Sequence, residues 1–334
     1  MNSIVLFRNN LRYNDNPVLK IAVEESSYIL PVYIYDNINC YRDLGGASKY
    51  WLHNSLESLC VTLENNLLFF KGDTTDILNN LIEKYSINKV YCEEPFIKDD
   101  VDLFKLVKIS LSKKNVDLCF LNSSLLWKPY DIFKNDLTPY KVFTPYYKRG
   151  CLEFEDPPYP VGLPNKPNYL EYNCNAKLDS LKLLDNFEWY NKFYDKWDIS
   201  ESAAQNILDD FTNESIYNYK VGRDFPSSNF TSKLSPYIRF GLISVNRIWY
   251  TVNKLKNDNN VSHFKSEIGW REFSYYLLYH FPHMQSENLQ SKFDNFNWDN
   301  SRSKFKAWCK GETGFPIVDA AMKELWETGY MHNR

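Results

Sequence analysis

No glycine-rich phosphate motif occurs anywhere in the 334 residues: there is no Gly-x-Gly-x-x-Gly and no Gly-x-x-x-x-Gly-Lys-Ser/Thr. A plain dinucleotide-dependent dehydrogenase and a phosphate-loop NTPase therefore lose their main support. The seven cysteines include no Cys-x-x-Cys pair and no His/Cys cluster at zinc spacing. That leaves no metal ligand set and fits buried, reduced thiols in a cytoplasmic protein. Positive charge is not in surplus either, since the formal net charge is −3. A non-specific coater of nucleic acid is strongly basic, so any DNA contact has to come from a local patch. Long hydrophobic runs are missing too. No apolar segment approaches membrane-spanning length, and the four apolar residues after Met1-Asn2-Ser3 are too few for a signal peptide.

What the chain does hold is length for two domains. Its aromatic share of 17% is high, enough to fill large cores and to build stacking surfaces for flat ligands. Residues 4–7, 30–35, 67–70, 90–92 and 118–121 are short apolar runs. Amphipathic patterns lie between them. Within 49–63, Leu52, Leu56, Leu59, Cys60 and Leu63 share a face, and within 76–85, Ile77, Leu78, Leu81, Ile82 and Tyr85 do. Buried strands alternating with such helices predict a five-stranded parallel, Rossmann-like α/β domain over 1–125. Ligands of such a sheet sit at the carboxyl ends of its strands, where Arg8, Asn9 and Asn10 follow the first run and Glu93 and Glu94 the fourth.

Over 126–199 the periodicity fails and prolines from Pro129 to Pro167 punctuate the chain. Proline at this density excludes regular helix. Trp127, Tyr130, Phe133, Tyr140, Phe143, Tyr146 and Tyr147 supply apolar anchors, so the stretch reads as an ordered inter-domain linker. From Ser200, a plausible N-cap, the pattern is helical to residue 334, predicting an all-α second domain. In the last helix Pro316 suits the first turn and Ile317, Ala321 and Leu325 form an apolar, packed stripe. Gly329 stands at a left-handed cap, ahead of His332, Asn333 and Arg334.

Four clusters carry chemistry, and each has a plain alternative. Thr231-Ser232-Lys233-Leu234-Ser235, with Tyr219 upstream, is either a capped helix start or an anion site. Glu267, Trp270 and Arg271 share a helix face; the plain alternative is a surface ion pair of Glu267 with Arg271 beside a core Trp. Trp298 is a packed Trp near a helix end or part of an aromatic relay. His332-Asn333-Arg334 is a polar turn or a set of ligand contacts.

The run GETGFPIVDAAMKELWETGYMHNR, together with LFRNNLRYNDNPVL, GGASKYWLHNSLESL, PYKVFTPYYK and the Thr-Ser-Lys-Leu-Ser run, resembles signatures of the DNA photolyase and cryptochrome family. The resemblance is nearest to class I bacterial photolyases of cyclobutane pyrimidine dimers. It implies FAD in the helical domain, with Tyr219, Thr231, Ser232, Lys233, Leu234 and Ser235 around its diphosphate and ribityl portion. It implies that Glu267 hydrogen-bonds the damaged bases and stabilises the reduced dimer, that Trp270 packs against them, and that Arg271 and Asn333 meet both flavin and DNA. Arg223 and Arg334 are implied to lie by DNA, and Trp298 to be the outer member of a three-Trp relay. Asn333 in Met-His-Asn-Arg favours cyclobutane dimers over (6-4) products. The first domain is implied to hold an antenna chromophore, a reduced folate or a deazaflavin; His53 is read as a partly exposed helix residue rather than its ligand.

The expectation is thus a cytoplasmic, monomeric, light-driven repair enzyme acting on flipped-out pyrimidine dimers in UV-damaged DNA, with no metal and no membrane. A cryptochrome-type photoreceptor and a nucleotide-binding α/β protein without photochemistry are the rivals. Phe264 and Tyr330 replace tryptophans usual in the family. The family resemblance further implies a C-terminally incomplete chain, with exposed apolar stripes on its last helices, binding FAD poorly and repairing little alone.

Overall fold

The five apolar runs become β1 (Asn2–Phe7), β2 (Tyr28–Tyr35), β3 (Leu68–Lys71), β4 (Lys89–Glu93) and β5 (Asp117–Leu121) in a computed structural model that describes residues 1–38, 42–173, 176–184 and 187–334. Every pairing is parallel, in the order β3-β2-β1-β4-β5. β1 is the central strand, in register with β2 from Asn2 opposite Tyr28 and with β4 from Ser3 opposite Lys89. Its side chains alternate between two cores. Ile4 and Leu6 meet α3 (Thr74–Tyr85) and α4 (Lys98–Ser112), while Val5 and Phe7 meet α1 (Pro17–Glu25) and α2 (Gly46–Thr62). A sheet covered on both faces needs strands apolar on both sides, which is why these runs are continuous rather than alternating.

The second half supplies α5 (Glu201–Asn213), α6 (Tyr219–Gly222), α7 (Ser235–Phe240), α8 (Val245–Asn253), α9 (Asn259–His280), α10 (Arg302–Lys310) and α11 (Pro316–Thr328). The two halves share one hydrophobic core. Trp51 of α2 meets Trp197 and Tyr237 edge-on at 5.1 and 5.0 Å and stacks on Phe240. The linker adds Trp127, Tyr140, Tyr146 and Tyr147 to that core through a π-helical turn at Tyr146–Cys151, whereas Tyr130 and Phe133 reach the surface.

The carboxyl edge of β1 and β4, expected to be a ligand crevice, is filled by the protein itself. Leu11 N–H donates to the Phe240 carbonyl at 3.1 Å. Buried Arg12 donates to the carbonyls of Asp15, Gly241 and Ser123 at 2.8–3.1 Å. Glu93 accepts from Asn9 N–H and Ser123 Oγ, both at 3.1 Å, and Arg8 pairs with Asp100. Gly241, at φ +73°, has to be glycine: a Cβ there would stand 1.8 Å from the Asn9 carbonyl oxygen. This clamp fixes the C-terminal end of α7 and so the position of the hydroxyl run at its other end.

α11 begins with Pro316 and ends at Gly329, φ +72°, as expected. Its stripe is not packed, however. Ile317 and Leu325 face solvent, and no residue of the helix is buried. Its first turns are tied to the preceding segment by Asp319, which accepts from the Thr313 and Gly314 amides at 2.7 and 2.9 Å, and its C-terminal end is held to the linker side of the core. There Trp197 Nε1 donates to the Thr328 carbonyl at 2.7 Å and Lys192 lies 4.0 Å from the Trp326 ring. No helix among the described residues is long and apolar enough to cross a membrane.

Candidate functional site

α9 is the platform. Asp258 caps it, accepting from the amides of Asn260 and Val261 at 2.8 and 2.9 Å. Phe264, Ile268 and Tyr276 turn inward. Gly269 lets the Tyr147 ring lie against the helix backbone, since a Cβ would come within 2.5 Å of it. Phe143 then stacks between Tyr147 (5.4 Å, 10°) and Trp270 (3.8 Å, 12°). Trp270 is 47% exposed, so one indole face is held by the linker and the rest is presented outward. A core Trp was the plain alternative, and the packing does not bear it out.

The charges pair differently from the plain alternative as well. Glu267 does not meet Arg271; it meets Arg223, a residue only 7% exposed. The same Arg223 nitrogen lies 3.1 Å from His263 Nε2. Arg223, expected beside DNA, is therefore turned inward onto Glu267. Arg271 instead donates to Glu272 at 2.7 Å and lies over the Tyr275 ring at 4.9 Å. Glu272 is 1% exposed and also accepts from the amides of Leu126 (2.7 Å) and Trp127 (3.4 Å). Burial raises its pKa, with Arg271 and the two amides opposing. One carboxylate thus ties the linker to α9 and aims Arg271.

The hydroxyl run leads into α7. Thr231 Oγ1 is 3.3 Å from the Tyr330 hydroxyl, and Ser232 Oγ accepts from the Leu234 amide at 3.4 Å. Lys233 has φ +53° and its side chain is exposed, as is that of Ser235. Leu234 points into the core, so its side chain packs and only its backbone remains for a ligand. Tyr219 is buried edge-on to Phe211 and Phe264, and burial pushes its hydroxyl up to about 12. Beyond Tyr330, His332 is buried with Nδ1 accepting from the Arg334 amide at 3.1 Å, while its Nε2 has no partner. Asn333 is exposed, and Arg334 donates to Asp224 at 2.7 Å.

A chain of contacts therefore joins Thr231 to Tyr330, the 332–334 turn to Asp224, and neighbouring Arg223 to Glu267 beside Trp270 and Arg271. The group lies on an open face, and a cavity of about 1020 Å³ lies elsewhere, along 133–153. Trp298 stands apart, 66% exposed, near Phe296 at 4.6 Å, in a hollow with His283, Glu287 and Asp294. His53 is half-buried on α2, and burial lowers its pKa. Sequence reasoning missed Glu272 and His263, and took Phe143 only as an anchor of the linker. Only His263, four residues before Glu267 on a helix, carried a usable signal.

The molecule is thus a 3-2-1-4-5 parallel sheet clamped by its carboxyl edge to a helical layer, with hydroxyls, an indole and a carboxylate gathered on one face. A solved class III photolyase from Agrobacterium tumefaciens matches it with a TM-score of 0.93 and 36% identity, over 100% of this chain and 70% of that one. A deoxyribodipyrimidine photo-lyase of Agrobacterium fabrum is 36% identical over 340 residues, 99% of this chain and 70% of the relative. Cryptochrome-2 of Arabidopsis thaliana is 30% identical over 361 residues, 99% of this chain and 57% of the relative. Residues 3–165 match the family model of DNA photolyase, and residues 264–334 that of the FAD binding domain of DNA photolyase. The chain belongs to the DNA photolyase and cryptochrome family. Its short sequence runs pointed to the class I branch, while the solved relative is a class III enzyme.

Proposed function

We propose that the chain acts in light-dependent DNA repair as a deoxyribodipyrimidine photo-lyase that splits cyclobutane pyrimidine dimers. The observation that carries this reading is the half-exposed Trp270, backed by Phe143, beside the Glu267 carboxylate on the same helix face. A pyrimidine dimer has lost aromaticity in both rings, so it offers an apolar wedge and polar carbonyl and imide edges. The indole meets the wedge and Glu267 meets the edge. The lesion has to leave the duplex to reach them, as in other enzymes that work on extruded bases, and weak stacking at damage lowers the cost.

The donor set fits FAD. Thr231, Ser232 and Ser235 hydroxyls with the Lys233 ammonium suit a diphosphate, and buried His332 Nε2, set as a donor because Nδ1 accepts, lacks the partner a buried N–H requires. When bound, the flavin supplies the light-driven electron that splits the dimer and takes it back. Arg271, steadied by Glu272, and the exposed Asn333 amide are assigned contacts with both flavin and lesion. Arg334 exchanges Asp224 for a DNA phosphate at little cost, because an exposed ion pair is worth under about 1 kcal/mol. Trp298, near solvent, is assigned the outer end of an electron relay. Residues 1–125 are assigned an antenna chromophore, reduced folate or deazaflavin, 126–199 the linker, and 200–334 FAD and DNA; a cytoplasmic monomer completes the proposal.

The test is loss of dimers from a UV-irradiated oligonucleotide, with FAD added, under blue light and in darkness. Light-dependent loss supports repair. Flavin binding without loss favours the photoreceptor reading, which the 30% identity to a cryptochrome keeps in view. Little flavin uptake by these 334 residues alone is what the resemblance implied; a chain extended to the length of its relatives that takes up no flavin refutes both.

A further inference from the structure

We infer that His263 is a positioning residue whose neutral form holds Arg223 while Glu267 engages the lesion, so that discrimination between damaged and undamaged DNA depends on pH. The inference rests on the assignment of Glu267 to the lesion made above. The geometry is a three-membered contact: one Arg223 nitrogen reaches both Glu267 and His263 Nε2, the latter at 3.1 Å, and His263 Nε2 is itself 3.8 Å from Glu267 Oε1. Arginine has no acceptor and does not lose its proton. His263 Nε2 must therefore accept, which places the single proton of the neutral ring on Nδ1.

Arg223 is buried, and its carboxylate partner is the group required elsewhere. When Glu267 turns toward a base edge, a buried guanidinium would be left without an acceptor, and such stranding is costly. The lone pair of neutral His263 remains on Arg223 through that change, which lowers the cost of releasing Glu267. Protonation reverses each part of this. The imidazolium cannot accept from Arg223, two cations face each other, and Glu267 is drawn to both and withheld from the lesion.

The groups around His263 are Arg223, Tyr219 and Lys220 from α6 and its end, Asp224 just beyond, and Glu267 on α9 itself. Burial, then Arg223, lowers the His263 pKa, and Glu267 and Asp224 oppose. A depressed folded-state pKa means that the neutral arrangement is fully present above the ordinary imidazole value and is lost as pH falls through the lower, folded one.

The experiment measures affinity for a dimer-containing oligonucleotide and for its undamaged twin, at matched salt, from about pH 7.5 to about pH 5 across the ordinary imidazole value. The ratio of the two cancels non-specific phosphate binding, which itself strengthens in acid. In the wild type the ratio should fall toward acid, by at most about tenfold for each pH unit, the limit for linkage to a single proton. His263→Gln keeps a non-titrating acceptor for Arg223 and should flatten the profile. His263→Ala should give a low ratio at every pH, while His53→Gln, on α2 and outside the site, should keep the wild-type slope. A flat wild-type profile, or an unchanged slope in His263→Gln, overturns the inference and leaves the Glu267 assignment standing. If Glu267→Gln leaves the ratio intact at neutral pH, the assignment itself fails and the inference with it. Nitrogen-15 shifts of the His263 ring give a second readout that needs no variant: a proton on Nε2 in the neutral form would also overturn it.

Discussion

Replacing Glu272 with alanine is the sharpest perturbation of the inter-domain architecture. Its carboxylate serves three donors: the Leu126 amide at 2.7 Å, the Trp127 amide at 3.4 Å and Arg271 at 2.7 Å. A buried donor left without a partner costs about 1–3 kcal/mol, and the short Leu126 bond deserves that full range. The Trp127 bond lies at the distance limit and adds little. Arg271 is partly exposed and can be rehydrated, so its share is discounted. The total is about 2–4 kcal/mol, which for a chain of this size lowers the melting temperature by roughly 3–6 °C. Circular dichroism melts give the shift, and proteolysis near residues 126–135 reports release of the linker. Glu272→Gln retains one acceptor oxygen and should recover more than half of the loss. Glu272→Met restores volume without an acceptor and should recover little. If methionine rescues as well as glutamine, packing rather than hydrogen bonding holds the linker and the reasoning is refuted. A Glu272→Ala protein within about 0.5 kcal/mol of wild type would refute it outright.

Three further outcomes are expected. Gly269→Ala drives a methyl into the Tyr147 ring and should destabilise by about 1–3 kcal/mol despite the better helix propensity of alanine, with altered Trp270 fluorescence as Phe143 shifts; unchanged fluorescence and stability would count against the stacked platform. Trp270→Ala should weaken binding to dimer-containing DNA by about 1.5–3 kcal/mol, the worth of burying a large apolar side chain, and leave undamaged DNA nearly unaffected in a gel-shift titration. Trp298→Phe should leave stability within about 0.5 kcal/mol, because the side chain is mostly exposed, yet slow light-driven reduction of bound flavin in a bleaching assay; an unchanged rate would remove Trp298 from the relay.

Much of the fold was legible because it rests on local signals. The apolar runs at 4–7 and 90–92 are strands because a sheet covered on both faces needs side chains apolar in both directions, and parallel pairing follows from the helices between them. Pro316 and Gly329 bounded the last helix because each answers a backbone requirement of its own. What sequence could not reveal were pairings between groups distant along the chain. Glu267 stands four residues before Arg271, yet it is paired with Arg223, because α6 packs across that face of α9 and delivers a buried guanidinium. Arg271 consequently turns to Glu272, and Glu272 to a linker some 145 positions away in sequence. The crevice expected at Arg8, Asn9 and Glu93 is closed because Gly241 lets α7 dock there. Element types and site chemistry were set by residue type and spacing along one chain segment. The partner each charge meets was set by which segments the shared core brings within a few ångströms, and no local pattern encodes that.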